Sequence, residues 1–191
     1  MARLDDLEIF KPVNRKAWRS WLAKNHLTKD RVWVLLKKKS AKSAGISYED
    51  AVQEALCVGW IDSVTRKSDD EFYAQLYSRR KPIGVWSASN KKRVEELIRK
   101  KQMKTAGLVS IELAKANGSW GRIDQSEAWE MPEDLVAAFK KNKKAAANFE
   151  AFTPFAKKWT YQWILLAKRE ETRQKRVALA VSEAAENRRL V

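Results

Sequence analysis

Residues 59–90 read GWIDSVTRKSDDEFYAQLYSRRKPIGVWSASN, and this stretch carries most of the information about the fold. Trp60–Arg66 alternates in polarity and Phe72–Tyr77 is apolar and aromatic, so both segments predict β-strands. Ser68-Asp69-Asp70, which lies between them, favours a turn. The stretch therefore predicts a β-hairpin or β-meander, followed by a connection at Arg79–Val85.

Helices and one further strand are predicted before this hairpin. Asn14 is a typical N-cap for a helix over residues 15–25, and Ser47 caps a second helix that ends at Gly59. Arg31–Lys37 is apolar and β-branched and predicts a central strand. After the hairpin the pattern becomes helical again, so the predicted body is a small, mainly antiparallel sheet flanked by helices.

The C-terminal part is predicted to be helical throughout. Pro132 opens a first helix, Ala145–Phe152 lies in a second, and a single long helix starts at Thr153-Pro154 and continues to about residue 181. We therefore expect an α+β fold with three parts: a body over residues 1–118, a linker over residues 119–131, and an all-helical unit over residues 132–191.

The charge of the chain allows more than one interpretation. There are 39 Lys and Arg against 24 Asp and Glu, a formal net charge of +15, which is compatible with nucleic-acid binding. No block of six like charges occurs, and most basic residues fall on the polar faces of predicted helices. A solvated basic surface is the favoured interpretation, and nucleic-acid binding remains an alternative.

Several classes of protein are not indicated by the sequence. The first eight residues, MARLDDLE, lack the apolar segment of a secretory signal, and the longest apolar runs have about five residues, too few to span a bilayer. These features predict a cytoplasmic protein. Cys57 is the only cysteine and predicts a reduced, buried thiol. With one His and one Cys, neither a metal site nor a cofactor is predicted.

The predicted strand at Trp60 contains the first group of candidate site residues. On a strand Trp60 and Asp62 point to one side and Ser63 to the other, and we expect Arg66 to return to the side of Asp62. An Asp that shares a face with a Trp needs a hydrogen bond or a cation. Asp62 and Arg66 are therefore either a structural pair or a carboxylate that orients an Arg toward a ligand.

The second group follows the hairpin. Arg79 and Arg80 precede the Trp86-Ser87-x-x-Asn90 segment, where a helix is predicted to begin. Free N–H groups at a helix N-terminus favour an anion, and Arg side chains offer the bidentate fork that phosphate and carboxylate groups accept. The positive charges of Lys91, Lys92 and Arg93 in the first turn are unfavourable beside the positive end of the helix dipole, unless an anion is bound. The alternative is a capping Ser beside an exposed basic loop.

Two other residues have a structural interpretation beside a functional one. His26, the only histidine, follows the first helix and is predicted to cap or pack its end. Arg173 falls on the apolar face of the predicted long helix, where it must leave the core or pair with a carboxylate. Its side chain either joins the C-terminal unit to the body or reaches into the candidate pocket. The structural alternative is that this part of the helix is a solvated face with ion pairs such as Glu171–Lys175.

The chain resembles the YdeI/OmpD-associated proteins, also called bacteriocin-protection proteins, from about Phe10 to Arg176. The segments that carry the resemblance are Trp18-Arg19-x-Trp21-Leu22, Ser47-Tyr48, Cys57-Val58-Gly59-Trp60-Ile61-Asp62-Ser63, Arg79-Arg80, Trp86-Ser87-x-x-Asn90, Ala106-Gly107-Leu108, Ala114-Lys115-x-Asn117-Gly118-x-Trp120 and Trp163-Ile164-x-x-Ala167-Lys168-x-x-x-Thr172-Arg173. Similar proteins often carry Pro and Ser where this chain has Ser78 and Gly84. The resemblance implies a role in envelope stress or resistance to bacteriocins, and it implies no established reaction.

These observations favour a monomeric or homodimeric protein that binds a small anionic, phosphate-bearing ligand. The predicted pocket consists of Trp60, Asp62, Ser63, Arg66, Arg79, Arg80, Trp86, Ser87 and Asn90. In this hypothesis the Trp rings stack on the ligand and the Arg side chains hold its anion. The alternatives are an enzyme with Asp62 as general base and Arg80 as anion stabiliser, and a basic nucleic-acid-binding or adaptor module.

Overall fold

The computed structural model describes residues 6–190; residues 1–5, which belong to the segment used above to argue against a secretory signal, and residue 191 lie outside it. The helices and strands in chain order are β1 (Ile9–Phe10), α1 (Arg15–Asn25), β2 (Arg31–Lys37), α2 (Tyr48–Cys57), β3 (Trp60–Lys67), β4 (Phe72–Arg79), α3 (Ala88–Arg99), α4 (Thr105–Ala116), α5 (Asp124–Glu127), α6 (Glu133–Lys141), α7 (Lys143–Glu150), α8 (Pro154–Leu165) and α9 (Glu170–Ala185). The predicted α+β class is confirmed.

The contacts within the chain define two units. The first unit runs to residue 84 and resumes over residues 89–119, and the second unit consists of residues 85–88 and 120 onward. The segment for which a linker is predicted contains the short helix α5. That the two units are separate domains stays a prediction.

The sheet of the first unit has four strands in the order β1-β2-β4-β3. β1 is parallel to β2, and the other two pairings are antiparallel, which agrees with the prediction of a mainly antiparallel sheet. β3 and β4 form the predicted hairpin. β2 occupies an inner position because its run RVWVLLK is apolar on both faces, as a strand covered from both sides must be.

One face of this sheet supports the main core of the first unit. Helices α1 and α2 cover it, and its core residues are Trp18, Trp21, Leu22, Val32, Val34, Leu36, Ile46, Ala51, Ala55, Val58, Trp60 and Tyr77. The indole rings of Trp18 and Trp21 stack with centroids 5.2 Å apart, and Trp18 Nε1 donates to the Ala51 carbonyl at 3.0 Å. Each buried ring thus brings a large apolar area and a satisfied N–H.

The predicted caps fix the two helices on this face. The Asn14 side chain accepts a hydrogen bond from the N–H of Ala17 at 2.9 Å, so α1 begins where the sequence predicts. Ser47 Oγ accepts from the N–H of Asp50 at 3.1 Å and begins α2 in the same way.

The second unit is helical, but its long helix is divided. The sequence predicts one helix from Thr153-Pro154 to about residue 181; the structure ends α8 at Leu165 and begins α9 at Glu170, so this prediction is wrong. The charges explain the break. Glu170 and Glu171 occupy the first turn of α9, where the helix dipole favours negative charge, so a new helix start is favoured there.

Arg173 of α9 pairs with a carboxylate inside the second unit. Its Nε and Nη2 donate to the two carboxylate oxygens of Asp134 on α6, at 2.5 and 2.9 Å. Its guanidinium therefore joins two helices of the same unit. Lys175 and Glu171 form the expected pair on the exposed face, at 2.6 Å.

Candidate functional site

A β-bulge in β3 changes which candidate residues share a face. Asp62 lies opposite Tyr77 on β4, but Thr65 lies opposite Gln75, so β3 contains one residue more than its partner between these pairs. Arg66 is consequently opposite Ala74, on the other face from Asp62, and its guanidinium lies 4.3 Å from the centre of the Trp33 ring. The predicted pairing of Asp62 with Arg66 is wrong, because an extra residue reverses the alternation.

Asp62 itself lies beside tyrosines. The Tyr48 hydroxyl donates to Asp62 Oδ2 at 3.1 Å. Burial raises the pKa of Tyr48 to about 12, and the charge of Asp62 adds to this effect. Tyr77, opposite Asp62 in the sheet, is fully buried, and its hydroxyl has no hydrogen-bond partner among residues 6–190. Burial, followed by the charge of Asp62, raises the pKa of Tyr77 as well.

Trp60 is a core residue in this structure. Its side chain is fully buried, its ring packs edge-on against Trp21 with centroids 5.9 Å apart, and its Nε1 donates to the His26 carbonyl at 3.1 Å. A ligand would have to open the core to stack on this ring. Ser63 lies in the bulge, is exposed, and its Oγ is 3.5 Å from the carbonyl of Leu76.

Arg80 combines burial with an ionised side chain. Its Nε atom is buried, and burial lowers the pKa of the guanidinium to about 10, while the charge of Asp62 opposes this effect. The backbone N–H of Arg80 donates to the carbonyl of Gly59 at 2.9 Å. The carboxylate of Asp62 therefore acts electrostatically on Arg80. That Asp62 orients an Arg toward a ligand stays a prediction.

Arg79 and Arg80 line a cavity of about 820 Å³, which we call the basic cavity. Its wall is formed by residues of the first unit: Asp6, Leu7, Glu8, Lys29, Asp30, Arg31, Ile61, Ser78, Arg79, Arg80, Lys81, Pro82 and Gly84. Among these described residues five are basic and three are acidic. Cavities of this size accommodate small molecules.

Two of the cations and two of the carboxylates in this wall engage each other. Lys29 pairs with Glu8, and Arg79 Nη2 lies 3.5 Å from Asp30 Oδ1. Arg79 also donates to the carbonyls of Leu27 and Lys29, at 2.8 and 3.2 Å. Arg79 thereby holds the loop before β2 in place.

The remaining candidates are Trp86, Ser87 and Asn90. Trp86 and Ser87 belong to the second unit, where the ring of Trp86 packs 5.0 Å from that of Trp120. Asn90 belongs to the first unit, and its Oδ1 accepts from Arg93 Nη1 at 3.0 Å. That these three residues line one pocket with Asp62 and Arg80 stays a prediction.

The predicted roles of His26 and Cys57 are supported by their contacts. The N–H of His26 and its ring Nδ1 both lie 2.9 Å from the Leu22 carbonyl, so the residue caps α1 as predicted. Cys57 is a free, buried thiol. Burial, followed by the charge of Glu54, raises the pKa of Cys57 to about 11, which keeps the thiol protonated at neutral pH.

Sequence reasoning missed Arg31 and Tyr48 as neighbours of the candidate site, and it grouped Lys81 with Arg79 and Arg80 without including it in the predicted pocket. Arg31 is the first residue of β2 and pairs with Ser78 across the sheet, which brings it close to Arg79 and Arg80. Arg31 lies near Arg79 and Arg80 because of the register between β2 and β4, which are far apart in the chain. Lys81 directly follows the Arg pair, so its position in the sequence was the only signal available.

Over residues 6–190, no helix has both the length and the apolar character needed to cross a membrane. Within the same range, no three His, Cys, Asp or Glu side chains are grouped so that they could hold a metal ion.

Comparison with known proteins identifies two segments of the chain. Residues 10–110 match a family model described as a domain of unknown function, DUF8412. Residues 128–187 match the family described as bacteriocin-protection, YdeI or OmpD-associated, which confirms the resemblance for the C-terminal part. Neither a curated protein nor a solved structure matches the chain.

Proposed function

We propose that this chain, which belongs to the DUF8412 family, binds a small anionic, phosphate-bearing ligand in the basic cavity of its first unit. The observation that carries the proposal is the position of Arg80 in the wall of a cavity, with a guanidinium whose pKa burial lowers to about 10. The bacteriocin-protection description of residues 128–187 supports protection as the setting of this binding.

Burial makes Arg80 a strong anion ligand. A guanidinium that has lost part of its hydration gains more from an anion than an exposed one does, because the local dielectric constant is lower. A bound anion would also reverse the effect of burial on the pKa of Arg80. The planar fork of Arg can hold two oxygens of one phosphate or carboxylate group.

Arg31 and Lys81 supply further positive charge to the same cavity. Arg31 is partly buried at the start of β2, and Lys81 is exposed in the loop after β4. Because Arg31, Arg80 and Lys81 all line the basic cavity, we assign these three residues to the ligand. In this proposal Asp62 positions Arg80 and does not contact the ligand.

The test is calorimetric titration and thermal denaturation with inorganic phosphate, sugar phosphates, nucleotides and carboxylates. A ligand at about 100 times its Kd should stabilise the protein by roughly 2.7 kcal/mol. Arg80→Met should abolish this stabilisation, because it keeps the apolar stem and removes the fork. Arg31→Gln and Lys81→Gln should weaken binding while leaving the fold intact.

Arg99→Gln is the matched control. Arg99 is on α3 of the same unit, its side chain is 78% exposed, and it does not line the basic cavity. The variant removes the same charge without touching the proposed site, so binding should be unchanged. A ligand-induced stabilisation that persists in Arg80→Met, or that Arg99→Gln reduces as much, would contradict the proposal.

A further inference from the structure

A second cavity adjoins the basic cavity and differs from it in character. It measures about 490 Å³ and also has Arg79 and Arg80 in its wall. Most of its other lining residues are apolar, and we call it the apolar cavity; those used below are Leu27, Val58, Val109 and Leu113. The two cavities therefore meet at the Arg pair.

The apolar cavity exposes large side chains to water. Leu27 is 70% exposed, Val109 is 50% exposed and Leu113 is 47% exposed. Single exposed apolar residues are common on protein surfaces, but here three of them border one concave surface beside the half-buried Arg80. An occupant with an apolar body would remove this area from water.

The walls of the apolar cavity are held in fixed positions. Helix α4 packs against the end of α2 so closely that a Cβ at Gly107 would lie 2.3 Å from the Cys57 carbonyl oxygen. Gly59 has a φ of +75°, and its carbonyl accepts the N–H of Arg80. The backbone of Arg80 is thus held between the two cavities, which lowers the cost of ordering this part of the site when a ligand binds.

We propose that the ligand is an amphipathic anion, with its phosphate group in the basic cavity and an alkyl or similar apolar chain in the apolar cavity. This inference rests on the proposed function, since Arg80 anchors the phosphate group in both. Charge complementarity sets the orientation: the phosphate group meets Arg79 and Arg80, which both cavities share, and the apolar chain covers the exposed side chains of Val109 and Leu113. The occupant is a single soluble molecule.

The test is a series of phosphate monoesters of increasing chain length, from inorganic phosphate through methyl and butyl to hexyl phosphate, measured by calorimetry below their aggregation concentrations. Each fully buried methylene should tighten binding about fourfold. We therefore expect butyl phosphate to bind at least about tenfold more tightly than methyl phosphate. Arg80→Met should abolish binding of the whole series.

Leu113→Ser and Leu108→Ser form a matched pair on α4. Leu113 lines the apolar cavity and Leu108 does not, although the two are similarly exposed, at 47% and 42%. Leu113→Ser should reduce the gain per methylene by half or more and leave methyl phosphate unaffected. Leu108→Ser should leave the whole series unchanged.

The possible outcomes separate the two proposals. Equal affinity for inorganic, methyl and butyl phosphate would overturn the amphipathic ligand and leave the anion site standing. Failure of every monoester and of inorganic phosphate would overturn both. If the protein binds anionic-lipid vesicles but none of the monomeric monoesters, it recognises a membrane surface and not a soluble ligand. That result would overturn this inference.

Discussion

Two regions of the first unit bury an ionised side chain, and they differ in how the charge is compensated. Glu54 on α2 is only 4% exposed and accepts hydrogen bonds from Arg15 Nε at 2.5 Å and from Arg19 at 2.6 and 2.7 Å. Burial alone would raise the pKa of Glu54, but these hydrogen bonds lower it below the ordinary value. At Arg80 burial is the larger effect, and the pKa of the guanidinium falls to about 10 although Asp62 opposes the change.

The difference separates a structural ion cluster from a candidate binding group. Around Glu54 the hydrogen bonds outweigh desolvation, so the charged state is already stabilised by the protein. At Arg80 desolvation outweighs the nearby carboxylate, so an anion from solution can still improve the environment of the guanidinium. A strongly shifted pKa beside a cavity is a feature of functional sites, and Arg80 has both properties.

The largest effect should come from removing both partners of Glu54. Arg15→Met with Arg19→Met leaves a buried carboxylate without its cations, which should lower the free energy of unfolding by about 3–5 kcal/mol. Urea denaturation measures this loss. Adding Glu54→Met should restore most of it, because the uncompensated charge is then gone. A loss below about 1 kcal/mol would show that the Glu54 cluster is as dispensable as a surface pair.

Acid should reveal the same cluster with a smaller effect. Because the folded-state pKa of Glu54 lies below its ordinary value of 4.5, Glu54 contributes stability that is fully present above 4.5. This contribution is lost as the pH falls from 4.5 through the folded-state value. Urea denaturation between pH 6 and pH 3 should show a shallower acid loss in Glu54→Gln than in the natural protein. Equal slopes would contradict this assignment.

The smallest effect should come from Arg80→Met in the absence of any anion. Asp62 keeps its hydrogen bond from Tyr48 and is only partly buried, so the substitution does not leave Asp62 as an uncompensated buried charge. The free energy of unfolding should change by less than about 1 kcal/mol. Replacing a desolvated cation by an apolar side chain removes the desolvation cost of the guanidinium as well as its attraction to Asp62. A loss of 3 kcal/mol or more would place Arg80 with Arg15 and Arg19 as a structural residue.

Local signals made much of the fold predictable from the sequence. The caps at Asn14 and Ser47, the apolar run Arg31–Lys37 and the turn at residues 68–70 each act over a few residues, and each element lies where these signals place it. The break between α8 and α9 was missed because the apolar positions continue across it. The acidic residues Glu170 and Glu171 that mark the start of α9 were present but were interpreted as part of a solvated face.

The candidate site was less predictable because it depends on distant parts of the chain. Arg79 and Arg80 were identified from their own chemistry, and the structure places both in a cavity wall. Arg31 joins them through the pairing of β2 with β4, and Leu113 through the packing of α4 on α2. Neither neighbour leaves a mark in the local sequence, since strand register and helix packing are decided by the whole core.

The bulge at Ser63 and Val64 has a consequence for comparing this chain with its relatives. One additional residue reverses the alternation of side chains along β3. If alternate residues before the bulge face the helices, the other set of alternate residues faces them after it. An alignment that introduces a one-residue gap after the bulge would exchange Thr65 with Arg66 and assign a cation to the core. An alignment of β3 should therefore count residues outward from the bulge in each direction, so that each residue is assigned to the correct face of the sheet.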